Sequence, residues 1–509
     1  TVPNDPDFLA KLVASPNLPS FIYEKLPALY GEPVPDPYIG DDNGFGIIGL
    51  PARVNATVQS LNDFMKSPAS FTKSDRQRIV SQALLVLSQN YAHLPFKRAM
   101  YGIDPIQRLR LLQYQIDQSD EDNLEPDSVF HTTITTIFQS LRDLHTTYRL
   151  PFPYSGIIAW LPFFVEEYWE TSGYHYIISK VIQVSGVELP DDLLGAELLY
   201  WNGTTIVEAI AINADRQAGS NPDARRARGL NSLTLRPLGR GLPPTEETVT
   251  IQYLPKGVGD SKELRLAWNV FMPQSGVDGQ LVTTVDNLRD SALGFDDHTN
   301  DIQEAKKILF SKSEVKEKGR FSTRMFHDRV KNADDALPTL MPTIMRARIV
   351  DTEEGQFGHL RIFSFNVSSA DSFIVELGTL LRRLPKSGVI LDIRGNGGGL
   401  ILAAEGALRL FTAQPIAPQR AQFINTPLNL KLCERNPNDR QDGARLGYWT
   451  SSIRNAVRTG AVYSSGFPIT DPVWLNQIEQ QYDGPVALIT DALCYSSSDI
   501  FAAGFQDHA

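Results

Sequence analysis

The sequence predicts a multidomain α/β protein, and three observations support this fold class. The chain has 509 residues, enough for about three domains of ordinary size. The hydrophobic pattern is helical between Ser74 and Leu144 and becomes β-rich between Ser155 and Asn269. After Arg346, strand patterns alternate with helical ones, which is typical of a parallel sheet with crossover helices.

Composition and charge exclude several classes of protein. Hydrophobic residues make up 42% of the chain and charged residues 21%, which is enough apolar material for several cores. The net charge of −11 disfavours general nucleic-acid binding, because phosphate backbones are themselves negative. No apolar run reaches the roughly 18 residues that a helix needs to cross a bilayer, so we expect no membrane span.

The N-terminal region, residues 1–154, is predicted to be mostly helical after an irregular first segment. Apolar residues recur at helical spacing between Ser74 and Gln118, and a second helix is predicted over Val129–Leu144. The expected buried stripes are Ile79, Ala83, Leu84 and Leu87 in the first helix and Ile134, Ile137, Phe138 and Leu141 in the second. Pro151 and Pro153 prevent further helix after the second stripe.

Residues 155–275 are predicted to form a β-rich module, followed by a charged helical connector over residues 276–345. Three short runs in the module have strand character, namely Tyr176–Val184, Glu197–Trp201 and Thr248–Tyr253, and turn residues separate them. In the connector, lysines alternate with acidic residues, which is typical of a solvated helix face.

Residues 346–509 are predicted to form an α/β core. Its expected strands are Phe357–Phe365, Gly388–Ile393 and Pro485–Thr490. Its expected helices are one capped by Ser369 or Asp371, one over Leu400–Thr412 and one over Ser498–Gln506. The loops that follow parallel strands meet at the carboxyl edge of the sheet, where open α/β folds place their functional sites.

The first candidate functional loop is Asp392–Gly399, which contains Asn396 and three consecutive glycines after a buried strand. Glycines let the backbone approach a ligand closely, and free amides at a helix start favour negative charge. A tight structural turn is an alternative reading. A phosphate-binding loop is less favoured, because the loop lacks the Lys-Ser/Thr ending of that motif.

The second candidate loop contains Ser496, which also follows a buried strand and precedes a helix. A hydroxyl there lies near the positive end of the helix dipole, where a developing oxyanion is stabilised. A structural capping box over Ser496–Asp499 explains the same residues. If the two loops are neighbours, one supplies backbone donors and the other a nucleophile, which is the minimum equipment for acyl transfer.

The two loops together resemble the C-terminal processing peptidase (tail-specific protease) family of serine peptidases. The motif Asp-x-Arg-x-Asn-x-Gly-Gly is followed downstream by Ser-x-x-Asp-Ile-x-Ala and then Gln-Asp, over residues 346–509. The resemblance implies an α/β catalytic core of the tail-specific protease type. It also implies that residues 155–275 are a PDZ-like module, because Leu193–Ile206 resembles the strand and turn before the main PDZ helix.

The resemblance implies roles for individual residues of these motifs. Ser496 matches the nucleophile, and Gly398 and Gly399 match the glycine pair of the oxyanion hole, to which the Ser497 amide can add a donor. Supporting positions fall on Asp392, Asn396, Asp499 and Asp507, of which Asp507 matches a supporting acid.

The family resemblance leaves two choices of general base. Most members use a lysine well after the serine, but the chain given ends at Ala509, and Lys386 and Lys431 precede the serine. A branch similar to chlamydial protease-like activity factor uses an N-terminal histidine, and Arg142–Tyr148 resembles that histidine motif. We therefore expect His145 to be the base. His131 also precedes two threonines, but it would lie inside the predicted helix.

These inferences predict a serine endopeptidase acting on protein or peptide substrates, without a metal or other cofactor. A third catalytic residue and the rest of the core are expected beyond Ala509, so the natural protein should be longer and could associate with a C-terminal fragment or form a homodimer. A start at Thr1 is compatible with signal-peptide removal, and we expect a secreted or extracellular protein. Cys433 and Cys494 could pair or stay free. The alternatives are an inactive peptide or lipid binder on the same fold, a PDZ-type scaffold, and a Ser–Lys peptidase.

Overall fold

The structure is a computed structural model that describes residues 46–49, 58–66, 71–184, 187–271, 336–435 and 446–508, together with Ile302 and Ala305. Most of the expected charged connector, including its lysines, lies outside the described residues. Hydrophobic clusters form in the helical N-terminal region, in the β-rich middle region and in the C-terminal α/β core.

The N-terminal region is built from helices, as predicted, but the segment after Ser74 is divided into three. Gly102 adopts a left-handed conformation with φ of 62°, and prolines occupy the first turns of the second and third of these helices. The helices are α1 (Leu61–Met65), α2 (Lys73–Gln89), α3 (Leu94–Tyr101), α4 (Pro105–Gln118) and α5 (Asp127–Ser140), with a 3₁₀ turn at Glu121–Asn123.

Burial confirms the predicted stripe of α5 and corrects that of α2. All four expected residues of the second helix are buried, whereas α2 buries Arg76, Val80, Ala83 and Leu87. Ile79 and Leu84 are only half-buried, because α2 turns its Val80 face toward α4 and α5. The spacing of apolar residues predicted the position of α2 correctly, but it assigned Ile79 to the buried face in place of the neighbouring Val80.

The middle region contains a seven-stranded sheet and a four-stranded sheet. The larger sheet has the order β1-β5-β6-β9-β10, with β4 beside β5 and β7 beside β6, and the smaller has the order β2-β11-β3-β8. The strands are β1 (Gly46–Gly49), β2 (Gln59–Ser60), β3 (Ile158–Trp160), β4 (Phe163–Glu170), β5 (Gly173–Gln183), β6 (Glu197–Trp201), β7 (Thr204–Thr205), β8 (Leu235–Pro237), β9 (Thr248–Leu254), β10 (Lys262–Ala267) and β11 (Asn269–Phe271). Helices α6 (Ile206–Asp215) and α7 (Pro222–Asn231) complete the region. The three predicted strands are present; the PDZ-like assignment stays a prediction.

The C-terminal core is a five-stranded sheet of order β12-β13-β14-β15-β18, flanked by helices. Its strands are β12 (Ala336–Leu337), β13 (Met345–Thr352), β14 (Gly355–Ile362), β15 (Val389–Asp392) and β18 (Val486–Ile489), and β16 (Arg420–Ala421) pairs with β17 (Phe467–Pro468). The helices are α8 (Ala370–Leu381), α9 (Ile401–Arg409), α10 (Pro427–Arg435), α11 (Gly447–Thr459), α12 (Pro472–Gln477) and α13 (Ser497–His508). Ser369 caps α8, as one of the two predicted caps.

The register of the sheet brings the two candidate loops together. Strand β14 is parallel to β15, and β15 is parallel to β18, with Leu391 opposite Leu488 and Asp392 opposite Ile489. The strands therefore end at the same level, and the loops that follow them leave the sheet side by side. This confirms the predicted parallel pairing for β14, β15 and β18, whereas β12 pairs with β13 and β13 with β14 in antiparallel fashion, so the whole sheet is mixed.

Asp392 closes β15 as the centre of a buried ionic cluster. Its carboxylate pairs with Arg361 and with Arg394 at 2.7 Å, and His359 lies 3.7 Å away. Burial alone would raise the pKa of Asp392, but hydrogen bonds from His359 and Arg394 and the charges of both arginines outweigh it. The pKa is held far below its ordinary range.

We expect Asp392→Asn to lower the free energy of unfolding by about 3 kcal/mol or more at neutral pH, because it leaves Arg361 without its buried partner. The carboxylate contributes stability above its unfolded pKa of about 3.9, and this contribution is lost as the pH falls toward the folded value. The difference in the free energy of unfolding between the unmodified chain and Asp392→Asn should therefore become smaller as the pH is lowered. Urea unfolding at neutral pH and at about pH 3.5 measures this difference, with Asp351→Asn, an exposed position of β13, as the control.

Candidate active site

Ser496 lies in a strained turn directly before α13. Its φ is +57°, a left-handed conformation that is unfavourable for a residue with a side chain. Its carbonyl accepts hydrogen bonds from the amides of Asp499 and Ile500, each at 3.0 Å. Its hydroxyl oxygen lies 3.3 Å from Nε2 of His145, so the side chain faces a histidine. Such strain accumulates at functional sites when the surrounding structure enforces it.

The glycine loop contacts the serine turn through Asn396 and Gly398. The Tyr495 amide donates to the Asn396 carbonyl at 3.1 Å, and Asn396 Oδ1 accepts from the Gly398 amide at 3.0 Å. A Cβ on Gly398 would lie 2.8 Å from the Ser496 Cβ and 3.2 Å from the Ser497 nitrogen. The two loops therefore touch directly beside the serine, and the Gly398 amide is engaged by Asn396.

Gly399 is held against the backbone of Phe365. The Phe365 amide donates to the Gly398 carbonyl and the Leu400 amide donates to the Phe365 carbonyl, both at 2.9 Å. Gly399 sits between these bonds with a φ of +144°, and a Cβ on it would lie only 2.0 Å from the Phe365 carbonyl carbon. In this parallel bridge the amide of the central residue points away from the bonded strand, so the Gly399 N–H points away from Phe365.

His145 lies in a loop after α5 that Asp143 shapes. Asp143 accepts from the His145 amide at 2.9 Å and from the Tyr91 hydroxyl at 2.8 Å, and His93 Nδ1 lies 3.3 Å from it. Burial alone would raise the pKa of Asp143, but these hydrogen bonds and the charge of His145 outweigh it and lower the pKa to about 2. Asp143 is thus an anion that holds the backbone of His145.

Arg142 ties the same loop to the middle region. Its guanidinium donates to the carbonyls of Asp215 and Gln217 at 2.9 and 3.1 Å, and its own carbonyl accepts from Lys97 at 3.0 Å. Arg142 has a φ of +52°, so this loop is also strained. Contacts from both the helical and the middle region therefore place His145 beside the core.

The ring of His145 stacks on Tyr495, the residue directly before Ser496. The ring centroids are 4.6 Å apart with an interplanar angle of 24°, and the Tyr495 hydroxyl lies 2.6 Å from His145 Nδ1. Sequence reasoning did not single out Tyr495. Its position next to the serine was the available signal, but side-chain direction in a turn is not readable from the sequence.

The structure separates His131 from Ser496. His131 is buried inside α5, where its Nδ1 lies 2.9 Å from the Tyr148 hydroxyl and its ring contacts Phe71 and Tyr154. Burial is the main cause that lowers the pKa of His131 to about 4, so this imidazole is neutral at ordinary pH.

The supporting positions are distributed unevenly. Asp392 and Asn396 lie under the glycine loop, and Asp499 is exposed in the first turn of α13. Asp507 is exposed in the last turn of the same helix, about 15 Å along its axis from the serine, so the structure does not bring it to Ser496. Lys386 pairs with Asp483 before β15 and β18 begin, at the opposite edge of the sheet from Ser496.

A second serine–histidine contact occurs in the hairpin between β4 and β5. Ser172 Oγ lies 2.8 Å from His175 Nε2, and Glu197 lies 2.6 Å from His175 Nδ1. Ser172 is exposed in the turn, and a strand follows it, not a helix start. It therefore lacks the dipole and the adjoining glycine loop that surround Ser496, and it offers an internal control.

Both cysteines are free thiols in the structure. Burial, with Asp491 acting in the same direction, raises the pKa of the Cys494 thiol to about 12. Among the residues that the structure describes, no group of three or more His, Cys, Asp or Glu side chains could hold a metal ion. Within the same part of the chain, every helix is too short or too polar to cross a membrane.

Comparison with known proteins agrees with this architecture. Residues 356–509 match the family model of peptidase family S41. The crystal structure of mature CPAF matches with a TM-score of 0.53 and 15% identity, covering 86% of this chain and 82% of CPAF. A structure of mature CPAF complexed with lactacystin matches with a TM-score of 0.51 and 17% identity, covering 86% and 83%. No curated protein sequence matches the chain. The predicted resemblance to the C-terminal processing peptidases is thereby confirmed for the C-terminal part of the chain, and the likeness to CPAF is one of fold.

Proposed function

We propose that this chain, which carries a serine-type peptidase domain of family S41 over residues 356–509, is an endopeptidase with Ser496 as nucleophile and His145 as general base. The observation that carries the proposal is the 3.3 Å contact between Ser496 Oγ and His145 Nε2, made from a strained turn beside a glycine loop. A nucleophile, a base in reach of its proton and adjoining backbone donors are what acyl transfer requires.

The chemistry follows from this contact. Ser496 Oγ bonds to the scissile carbonyl carbon while His145 Nε2 takes the hydroxyl proton, and the carbonyl electrons move to the oxygen. The imidazolium then protonates the leaving amine as the C–N bond breaks, which leaves an acyl-enzyme. In the second half of the reaction, His145 takes a proton from a water molecule while the water oxygen attacks the acyl carbon. The bond to Ser496 Oγ then breaks, His145 returns the proton to Oγ, and the carboxylic acid is released.

We assign the oxyanion hole, the donors that stabilise the negative oxygen of the tetrahedral intermediate, to the backbone amides of Gly399 and Ser497. The Gly399 N–H points away from Phe365, and the Ser497 nitrogen borders the space above Gly398 at the start of α13. Donors at a helix start and in a glycine loop need no reorganisation as charge develops on the carbonyl oxygen. The Gly398 amide becomes a third donor only after it leaves Asn396 Oδ1.

The contact geometry favours the histidine mechanism over two of the three alternatives, the Ser–Lys peptidase and the inactive binder. A Ser–Lys peptidase would need a lysine at the serine hydroxyl, but His145 occupies that position. An inactive binder would have no need of a strained serine aligned with a histidine, and strain of this kind costs about 1–3 kcal/mol.

Covalent labelling tests the proposal. A fluorophosphonate should phosphonylate Ser496 with loss of fluoride, and peptide mapping by mass spectrometry should locate the adduct there. Ser496→Ala should lose the label, whereas Ser372→Ala, an exposed serine of the same core, should keep it. Casein cleavage by the unmodified chain without any labelling of Ser496 would contradict the assignment.

A further inference from the structure

We infer that Asp491 is a positioning residue of the proposed active site, because its side chain joins the glycine loop (Asp392–Gly399) to the serine loop (Thr490–Ser496). The inference rests on the proposed function, since it concerns the nucleophile and the oxyanion donors of the same reaction. Asp491 follows the end of β18 and lies near the start of the serine loop, on the chain that leads to the nucleophile. The role we assign to it is to fix the position of one loop relative to the other.

A single carboxylate oxygen of Asp491 accepts hydrogen bonds from both loops. Its Oδ1 accepts from the Gly395 amide of the glycine loop at 2.8 Å. The same atom accepts from the amides of Leu493 and Cys494, in the serine loop, at 3.0 and 3.1 Å. Backbone amides can only donate, and a carboxylate oxygen has more than one lone pair, so the direction of all three bonds is unambiguous. The two loops therefore share one acceptor atom.

The residues that Asp491 holds are close neighbours of those that carry the proposed chemistry. Gly395 directly precedes Asn396, whose Oδ1 accepts from the Gly398 amide at 3.0 Å. Cys494 lies just before the turn of Ser496, whose φ of +57° persists only if the surrounding structure enforces it. The bonds to Asp491 Oδ1 thus fix the glycine loop just before its glycines and the serine loop just before its strained turn.

The relative position of the two loops matters most in the transition state. The proposed oxyanion donors come from different loops, the Gly399 amide from the glycine loop and the Ser497 amide from the start of α13. Both amides must face the same oxygen as negative charge develops on it, and preorganised donors stabilise that charge only when they are already in place. A small misplacement of such groups lowers the rate without removing any reacting atom. Asp491 therefore acts through the loops that it joins.

The kinetic test compares Asp491→Ala, which removes the acceptor, with Asp491→Asn, whose Oδ1 can accept from the same three amides. We expect kcat for casein cleavage to fall about 30-fold in Asp491→Ala, with KM changed less than about twofold, because the misplaced donors act in the transition state. Asp491→Asn should restore kcat to within about threefold of the unmodified chain, because it keeps the acceptor. Asp471→Ala is the matched control, since Asp471 accepts from the Val473 amide at 2.9 Å at the start of α12, and its kcat should be unchanged.

Thiol alkylation tests the loop positions without using activity. Cys494 Sγ donates to the Ile393 carbonyl at 3.1 Å, so this thiol lies where the serine loop meets the end of β15. Burial and the charge of Asp491 both raise the pKa of the Cys494 thiol. Because both variants remove that charge, the difference between them reports the lost acceptor alone. We expect iodoacetamide to alkylate Cys494 about tenfold faster in Asp491→Ala than in Asp491→Asn, since the freed loop exposes the thiol. Peptide mapping should show the buried Cys433 equally unreactive in both.

The two tests have distinct failures, and all measurements are made below the melting temperature of every variant. Equal kcat in Asp491→Ala and the unmodified chain would overturn the inference. An equal loss of kcat in the alanine and asparagine variants would also overturn it, as would equal alkylation of Cys494 in the two. Failure of Ser496 to react with fluorophosphonate would instead overturn the proposed function, while the alkylation rates would still decide whether Asp491 joins the two loops.

Discussion

Ser496→Ala and His145→Ala are each expected to lower kcat for casein cleavage by about 10⁴-fold or more, and the double variant should be little worse than either. The reason is that the serine attacks only as its proton moves to the histidine 3.3 Å away, so removing one partner disables the other. Both side chains lie at loop positions outside the hydrophobic clusters, so thermal melting should change little.

The hairpin pair is the control for this prediction. Ser172→Ala and His175→Ala remove a shorter serine–histidine contact, yet both should leave casein cleavage unchanged, because the hairpin has no adjoining glycine loop or helix start. Full activity in His145→Ala with none in Ser496→Ala would move the base to another residue.

Gly399→Ala is expected to have the second large effect, on both folding and activity. The added methyl would lie 2.0 Å from the Phe365 carbonyl carbon and 2.1 Å from the Asn366 nitrogen, so backbone must move. We expect the free energy of unfolding to fall by about 4 kcal/mol or more, in the range of severe core lesions. Activity should be lost even below the melting temperature, because the displaced Gly399 amide no longer faces the reacting carbonyl.

Gly355→Ala is the control that distinguishes the steric clash in Gly399→Ala from backbone strain. Gly355 has a similar φ of +125°, but nothing lies within 4 Å of the position its Cβ would take. Gly355→Ala should lower the free energy of unfolding only by the backbone strain, about 1–3 kcal/mol, and the variant should keep its activity at temperatures where it is folded. Urea unfolding and casein cleavage measure both variants. Equal destabilisation would show that strain alone acts, which would contradict the close approach to Phe365.

Local patterns predicted much of the C-terminal core. The strands around Leu391 and Leu488 and the helix capped by Ser369 were expected, because buried parallel strands and capped helices have short-range signatures. The sequence also placed the glycine-bearing and serine-bearing loops at one edge of the sheet, and the structure added that β15 and β18 are neighbours, so that the two loops touch. The buried face of α2 was misplaced because adjacent apolar residues such as Ile79 and Val80 are equally compatible with helical spacing.

By itself, then, the sequence identified the serine loop and the glycine loop as candidates, together with the region from which a histidine could come. Only the tertiary structure decided that His145, 351 residues from Ser496, meets it, and that His131 is enclosed by aromatic rings. It also decided that Asn396 engages the Gly398 amide and that Tyr495 lies on the histidine ring. The physical reason is that strand ends and helix starts are local consequences of hydrophobic spacing. Contacts between the three regions depend instead on packing. Arg142 and Asp143, for example, hold the His145 loop through residues that are distant in the sequence, Asp215 and Tyr91.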